Sequence, residues 1–368
     1  MKQKRFWRPA DRAFIISVLI LIGFGLVAVS SASSVLSYER YGNNNYYFLR
    51  QLAFAAVGLG LIFYLSRVDY HVFRRFSAPI FAVGIFLLVL LVVPGVGFRV
   101  GGAARWFNTG WFLIQPSEFV KLAMIFFLAT WFERKKGAED NFWFGILPPL
   151  AASALVLGLV VLEPDIGTAA VLAMILLGML FAAGARLRFL GGLLAAGIAG
   201  LWIVIKAAPY RAARIITFFN PSYDPQGISY HINQALLGIG AGGLFGYGLG
   251  FSRQKHNYLP EPIGDSIFAV MAEELGFTRI IFLVLLFLLV GFLGIKIARN
   301  APDRFGELTA IGITIWITLQ ALFNIGAITG VLPLTGIALP FVSYGGSSLL
   351  ALSIGAGILL NISRQRVK

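Results

Sequence analysis

The sequence predicts an all-α integral membrane protein of about ten transmembrane helices, with one large extracytoplasmic loop between the seventh and eighth. Three observations predict it. Only 12% of the 368 residues are charged and 58% are hydrophobic, whereas a soluble domain carries about a quarter charged residues. Apolar runs long enough to cross a bilayer, about 20 residues each, recur down the chain. The 42 Gly and 33 Phe fit the same solvent, because Gly lets membrane helices approach closely.

Five basic residues from Lys2 to Arg12 precede an apolar run from Ala13 to Ala32. That run is longer than the apolar core of a signal peptide, so it reads as a retained first helix. Spans are expected near 13–32, 49–65, 78–95, 117–132, 143–162, 166–184, 189–206, 266–296, 308–328 and 347–363, making residues 1–368 a single polytopic domain. An even number of spans leaves both termini on one side.

The formal charge of +14 would suggest nucleic acid in a soluble domain, but sorting the basic residues by loop removes that reading. Well over half of the 30 Lys and Arg fall on the termini and on the loops bearing Arg67, Arg74, Arg75, Arg134, Lys135, Lys136, Arg186, Arg188, Lys296, Arg299 and Arg304. The positive-inside rule makes that side cytoplasmic and predicts no nucleic-acid partner. The absence of Cys excludes disulfides and thiolate metal sites.

Four outward segments, 96–121, 163–168, 207–265 and 330–348, hold nearly all the unusual chemistry. In Gln115-Pro116-Ser117-Glu118-Phe119-Val120-Lys121, Pro and Ser mark a helix start, with Ser117 either a cap or a site residue. Lys121 lies about one turn inside, on the face of Glu118, either in an intrahelical ion pair or as a functional group. In Glu163-Pro164-Asp165-Ile166-Gly167-Thr168, Asp165 reads either as a helix cap or as a ligand for a divalent cation or sugar hydroxyl. The long loop offers Arg211 and Arg214, whose forked guanidinium groups suit phosphate oxygens. His231 reads as structural rather than as a ligand. Asp265 stands where loop enters helix, and Glu273 and Glu274 interrupt an apolar run where Arg279 is an available partner. Gly and Ser around Ser343 allow an irregular backbone whose amides could cradle phosphate.

Taken together these motifs resemble the SEDS family (shape, elongation, division and sporulation). The pieces that carry the resemblance are Gly-Ala-Ala-Arg-Trp at 102–106, Gln-Pro-Ser-Glu at 115–118 with Lys121, and Glu-Pro-Asp-Ile-Gly-Thr at 163–168. They continue with Arg214, the Gly-rich stretch 238–250, Leu-Pro-Glu at 259–261 with Asp265, Glu-Glu-Leu-Gly at 273–276 and Pro-Phe-Val-Ser-Tyr-Gly-Gly-Ser-Ser at 340–348. They occur in family order over essentially the whole chain. Two positions depart from it: Gly264-Asp265-Ser266 replaces the common Thr-Asp-Phe, and Arg279 stands where a small or apolar residue is usual.

The resemblance implies a peptidoglycan glycosyltransferase of the cytoplasmic membrane that polymerises lipid II, the undecaprenyl-diphosphate-linked disaccharide pentapeptide, at the outer face. It implies a class B penicillin-binding protein as crosslinking partner, together with division or elongation complex proteins. Ser-Arg-Gln-Lys at 252–255 and Leu-Pro-Glu-Pro at 259–262 look more like the division branch, Glu163 before Pro164-Asp165 more like the elongation and cell-shape branch, and the two motifs together favour division. By that likeness Asp265 matches the essential loop aspartate and is the expected base. Arg105, Lys121 and Arg214 are expected to stabilise the diphosphate, and Glu261 and Ser343 complete the substrate contacts. Asp165, Glu273 and Glu274 are candidate ligands for Mg or Mn. The rival readings are a lipid II flippase, for which no inverted repeat is detectable, and a non-catalytic scaffold for the penicillin-binding protein.

Overall fold

The computed structural model describes residues 10–100, 103–135, 141–206 and 209–365. Asp11 caps α1 (Arg12–Tyr41), its carboxylate accepting from the Phe14 amide, and Gly42 closes the helix at φ 66°. The helix runs nine residues past the expected end at 32, and small Ser33 and Ser37 in that extension are buried, so packing carries the helix past its apolar run. Next come α2 (Tyr46–Leu65), the short α3 (His71–Arg75) and α4 (Ser77–Val92).

A small sheet accompanies the helices. A three-stranded antiparallel sheet is built from β1 (Phe98–Val100), β2 (Ala103–Asn108) and β3 (Leu113–Ile114). β1 and β3 are too short to show an alternation, and β2 does not bury alternate residues.

Pro116 opens α5 (Pro116–Arg134), where its missing N–H costs nothing. Asn141 caps a single π-helical turn, Phe142–Ile146, that leads into α6 (Leu147–Leu162). Then follow α7 (Ile166–Ala183), α8 (Leu187–Lys206), α9 (Pro209–Phe219), α10 (Tyr230–Gly242), α11 (Ile267–Leu275), α12 (Phe277–Arg299), α13 (Arg304–Ile328) and α14 (Gly346–Arg364).

Among the described residues, seven stretches are long and apolar enough to cross a membrane: α1, α2, the π-turn with α6, α7, α12, α13 and α14. The other expected spans coincide with α4, α5 and α8. Of these, α4 has 16 residues, and α5 carries Glu118, Lys121, Glu133 and Arg134, which dilute its hydropathy. The buried cluster runs from Phe14 to Ile362. Its centre is α14, which packs on α2, α5 and α13, with Trp316 fully buried among them.

The span expected over 266–296 is broken. Gly276, at φ 74° and ψ 173°, ends α11 and starts α12, and the chain folds over its own Gly-rich loop there. Amides of Tyr247 and Gly248 donate to the carbonyls of Glu273 and Glu274, and those of Phe277 and Thr278 to Gly243 and Leu244. A Cβ on Gly246, itself at φ 74°, would collide with the Glu274 carbonyl. Gly246→Ala therefore combines left-handed strain with a backbone clash, and is expected to cost about 2–4 kcal/mol. Thermal unfolding of the purified protein in detergent reads this as a drop of several degrees.

Bonds between loops gather one end of the bundle. Gln115 N–H donates to Ser347 Oγ (3.0 Å), Arg214 to the Leu334 carbonyl (3.3 Å) and Asn257 to Glu39 (2.9 Å). All four segments singled out in the sequence meet at this end. At the other end, the His71 ring bridges Asp69 (2.6 Å) and Asp303 (2.7 Å), and Arg74 pairs with Glu133 (2.9 Å). Those contacts lock α3 to α13 and α5, away from the site.

Candidate active site

A cavity of about 640 Å³ opens at the loop end, within the size range of ligand pockets. Its cationic lining is Arg40, Arg50, Arg105 and Lys121, against the carboxylates Glu118 and Asp165. Aromatic and small residues complete the wall, among them Trp106, Tyr344 and Ser347. An anionic headgroup attached to an apolar tail fits such a lining better than a neutral solute does.

Each polar group is held from a different element. The Arg105 side chain on β2 donates from Nε to the Glu163 carbonyl (3.0 Å) and from Nη2 to the Pro164 carbonyl, tying the sheet to the turn between α6 and α7. Lys121 is only 1% exposed. Its ammonium donates to Glu118 Oε1 (2.8 Å) and Gln320 Oε1 (3.0 Å), and lies 5.1 Å from the Trp316 ring. The intrahelical ion pair is thus present, and Lys121 also lines the cavity.

Asp265 lies beside this hollow. Gly336, at φ 72°, lines the cavity, and a Cβ there would stand 3.6 Å from Asp265 Oδ2. The bare glycine leaves the carboxylate no side chain to hide behind. Burial pushes the Asp265 carboxyl up to about 6, partly opposed by the Arg214 guanidinium. Glu261 is likewise raised, by burial and by the Asp265 charge.

The Asp265 backbone is pinned from two directions. Asn324 on α13 donates to the Asp265 carbonyl (2.8 Å) and to the Ile337 carbonyl (2.7 Å). Ser343 donates its hydroxyl to the Gly264 carbonyl (2.7 Å) and accepts from the Leu339 amide (2.8 Å), while the Tyr344 amide donates to the Ile263 carbonyl (2.9 Å). The expectation that Ser343 contacts substrate is therefore corrected: it is 6% exposed, its hydroxyl proton is committed to Gly264, and it positions the Asp265 loop.

The carboxylates expected to bind a cation have other partners. Asp165 caps α7, accepting from the Thr168 amide (3.0 Å) and hydroxyl (2.9 Å), though it remains on the cavity wall. Glu273 accepts from the Arg253 amide (3.1 Å), the Gln254 amide (3.2 Å) and the Ser252 hydroxyl (2.5 Å). Glu274 accepts from Ser31 (2.7 Å), the Ser252 amide (3.3 Å) and Lys255 (3.4 Å). This pair latches the 252–255 loop to α1 and α11. Arg279 donates instead to the Phe245 carbonyl (3.3 Å). Among the described residues no three His, Asp or Glu come together as a metal site.

Sequence reasoning missed Arg40 and Arg50. Arg40 donates to the Tyr47 hydroxyl (3.1 Å), and Arg50 donates to Tyr46 (2.9 Å) and to the Trp111 carbonyl. The signal was present: two arginines amid Tyr41, Tyr46 and Tyr47 in a short segment on the side that the charge rule leaves poor in cations. Arg211 has no described side chain.

A family model described as "Cell cycle protein", which unites FtsW, RodA and SpoVE, matches residues 11–368. The chain belongs to the FtsW/RodA/SpoVE family. It is 43% identical over 354 residues to stage V sporulation protein E of Bacillus subtilis, covering 96% of this chain and 97% of that one. A probable peptidoglycan glycosyltransferase FtsW of Trichlorobacter lovleyi is 42% identical over 354 residues, covering 96% and 93%. Among solved structures, a chain from a peptidoglycan synthase complex that coordinates polymerization and crosslinking superposes with a TM-score of 0.81 at 28% identity, over 97% of this chain and 98% of that one. Thermus thermophilus rod shape determining protein RodA superposes with a TM-score of 0.72 at 27% identity, over 98% and 99%. The FtsW/RodA/SpoVE membership bears out the resemblance read from the motifs, and the RodA-like fold bears out the helical membrane architecture.

Proposed function

We propose that this member of the FtsW/RodA/SpoVE family is a peptidoglycan glycosyltransferase that extends glycan strands from lipid II. The observation that carries the reading is a half-buried Asp265 set beside a cavity rimmed by Arg40, Arg50, Arg105 and Lys121. In the reaction an acceptor 4-hydroxyl attacks the anomeric carbon of the donor. The bond from that carbon to the diphosphate oxygen breaks, and the hydroxyl proton passes to Asp265. The cavity cations oppose the charge that grows on the departing diphosphate, and Arg214 sits near enough to Asp265 to favour its ionised form.

The distribution of basic residues supports placing the loop end outside the cytoplasmic membrane and both termini inside. A class B penicillin-binding protein is the crosslinking partner on this reading. Division, or its sporulation counterpart, is favoured over elongation, because relatives near 40% identity carry division and sporulation names while the RodA structure is 27% identical.

The test is polymerisation of purified lipid II by the reconstituted full chain, with and without the penicillin-binding protein, resolved as a glycan ladder on a gel. Ladders are expected in at least the partnered reaction. A partnered reaction that yields none, or one whose ladder survives inactivation of this chain, overturns the proposal in favour of a scaffold or a transporter.

A further inference from the structure

Next to Asp265 the structure holds a chain of polar contacts that the reaction above does not use. The Ser266 hydroxyl lies 3.4 Å from Asp265 Oδ1 and 2.7 Å from His231 Nε2. Ser266 is 0% exposed, so its hydroxyl has no water to turn to. His231 comes from the first turn of α10, at the far side of the long loop.

A hydroxyl carries one proton and two lone pairs. It can give that proton either to the imidazole or to the carboxylate, and the neighbour that is itself a donor decides which. Burial and the nearby Arg214 guanidinium push the His231 imidazole down to about 4, with Glu261 opposing. The ring is therefore neutral at neutral pH and carries a single N–H. With that proton on Nε2, His231 donates to Ser266, and the serine proton is directed onto Asp265. We infer that His231 and Ser266 are positioning residues for the polymerisation base, His231 orienting the Ser266 hydroxyl so that it donates to the Asp265 carboxylate. This rests on the reading of Asp265 as base.

The charged groups facing Asp265 are few. Arg214 approaches from α9, Glu261 from the same loop and His231 from α10, with Arg40 acting on Glu261 from beyond. From α13 and the 333–345 loop come only neutral contacts, Asn324 and Gly336. A hydrogen bond to the ionised form lowers a carboxyl pKa, so its loss raises that pKa. Because the base must be ionised, the acidic limb of the rate profile then moves to higher pH.

The experiment measures lipid II polymerisation by the full chain against pH for wild type, Ser266→Ala, His231→Ala and His231→Gln, with Asp265→Ala as reference. Ser266→Ala and His231→Ala are expected to move the acidic limb up by about half a pH unit, which reads as a roughly threefold loss on that limb and little change at pH 8. The double variant is expected to move it no further, since one hydrogen bond cannot be lost twice. Glutamine keeps a donor near Nε2, so His231→Gln is expected to stay at the wild-type position. Limbs that coincide with wild type in both alanine variants would overturn the relay, as would a uniform loss at every pH. Wild-type activity in Asp265→Ala would instead remove the base reading beneath it, so the two failures are distinguishable.

Discussion

Asp265→Asn is expected to lower glycan polymerisation about 10²–10⁴-fold, the usual contribution of a positioned general base. Asparagine keeps the shape and the backbone bonds from Asn324 to the Asp265 carbonyl and from Ser343 to the Gly264 carbonyl. The fold and partner binding should therefore persist, which thermal unfolding and co-purification with the penicillin-binding protein would check. The wild-type rate should depend on pH in a definite direction. Burial holds the Asp265 carboxyl up to about 6, so the ionised base fills in as pH rises through that value and activity rises with it. Arg214 opposes burial, so Arg214→Gln should shift the limb further up. The Asn variant has no group to titrate there and should lose this limb. Normal glycan ladders from Asp265→Asn would refute the assignment.

Much of this arrangement was legible in the sequence, and the failures have physical causes. Apolar length located the long helices, because in lipid every backbone group must be satisfied within its own segment. The same signal misjudged 266–296, where it ran straight through Gly276. Only the Gly-rich loop packed against that break reveals why a left-handed residue is required there. Glu273 and Glu274 stood out as expensive charges in an apolar run, but cost alone does not name a partner. Apart from Lys255, their donors are backbone amides and serines 19 or more residues away, which offer no charge to flag them. Arg40 and Arg50 were passed over because no motif marks them, and only the folded chain brings them to one cavity wall.

Lys121→Met is expected to combine a loss of activity of about 10²–10³-fold with a loss of stability of about 3–5 kcal/mol. The stability effect belongs to Glu118. That residue is 6% exposed, one carboxylate oxygen takes its hydrogen bond from Lys121, and the other has no partner among the described residues. Removing the ammonium would strand a buried charge and also unseat Gln320, whose carbonyl accepts from Lys121 and from Trp316 Nε1 (2.8 Å). The two effects can be separated by adding Glu118→Gln to Lys121→Met. With no charge left to strand, the double variant should recover most of the thermal stability. Its polymerisation should stay low, because nothing then replaces the buried cation at the end of the cavity nearest α13. Recovery of both quantities together would reduce Lys121 to a structural ion pair. Recovery of stability alone would leave the diphosphate as the partner this lysine is kept for.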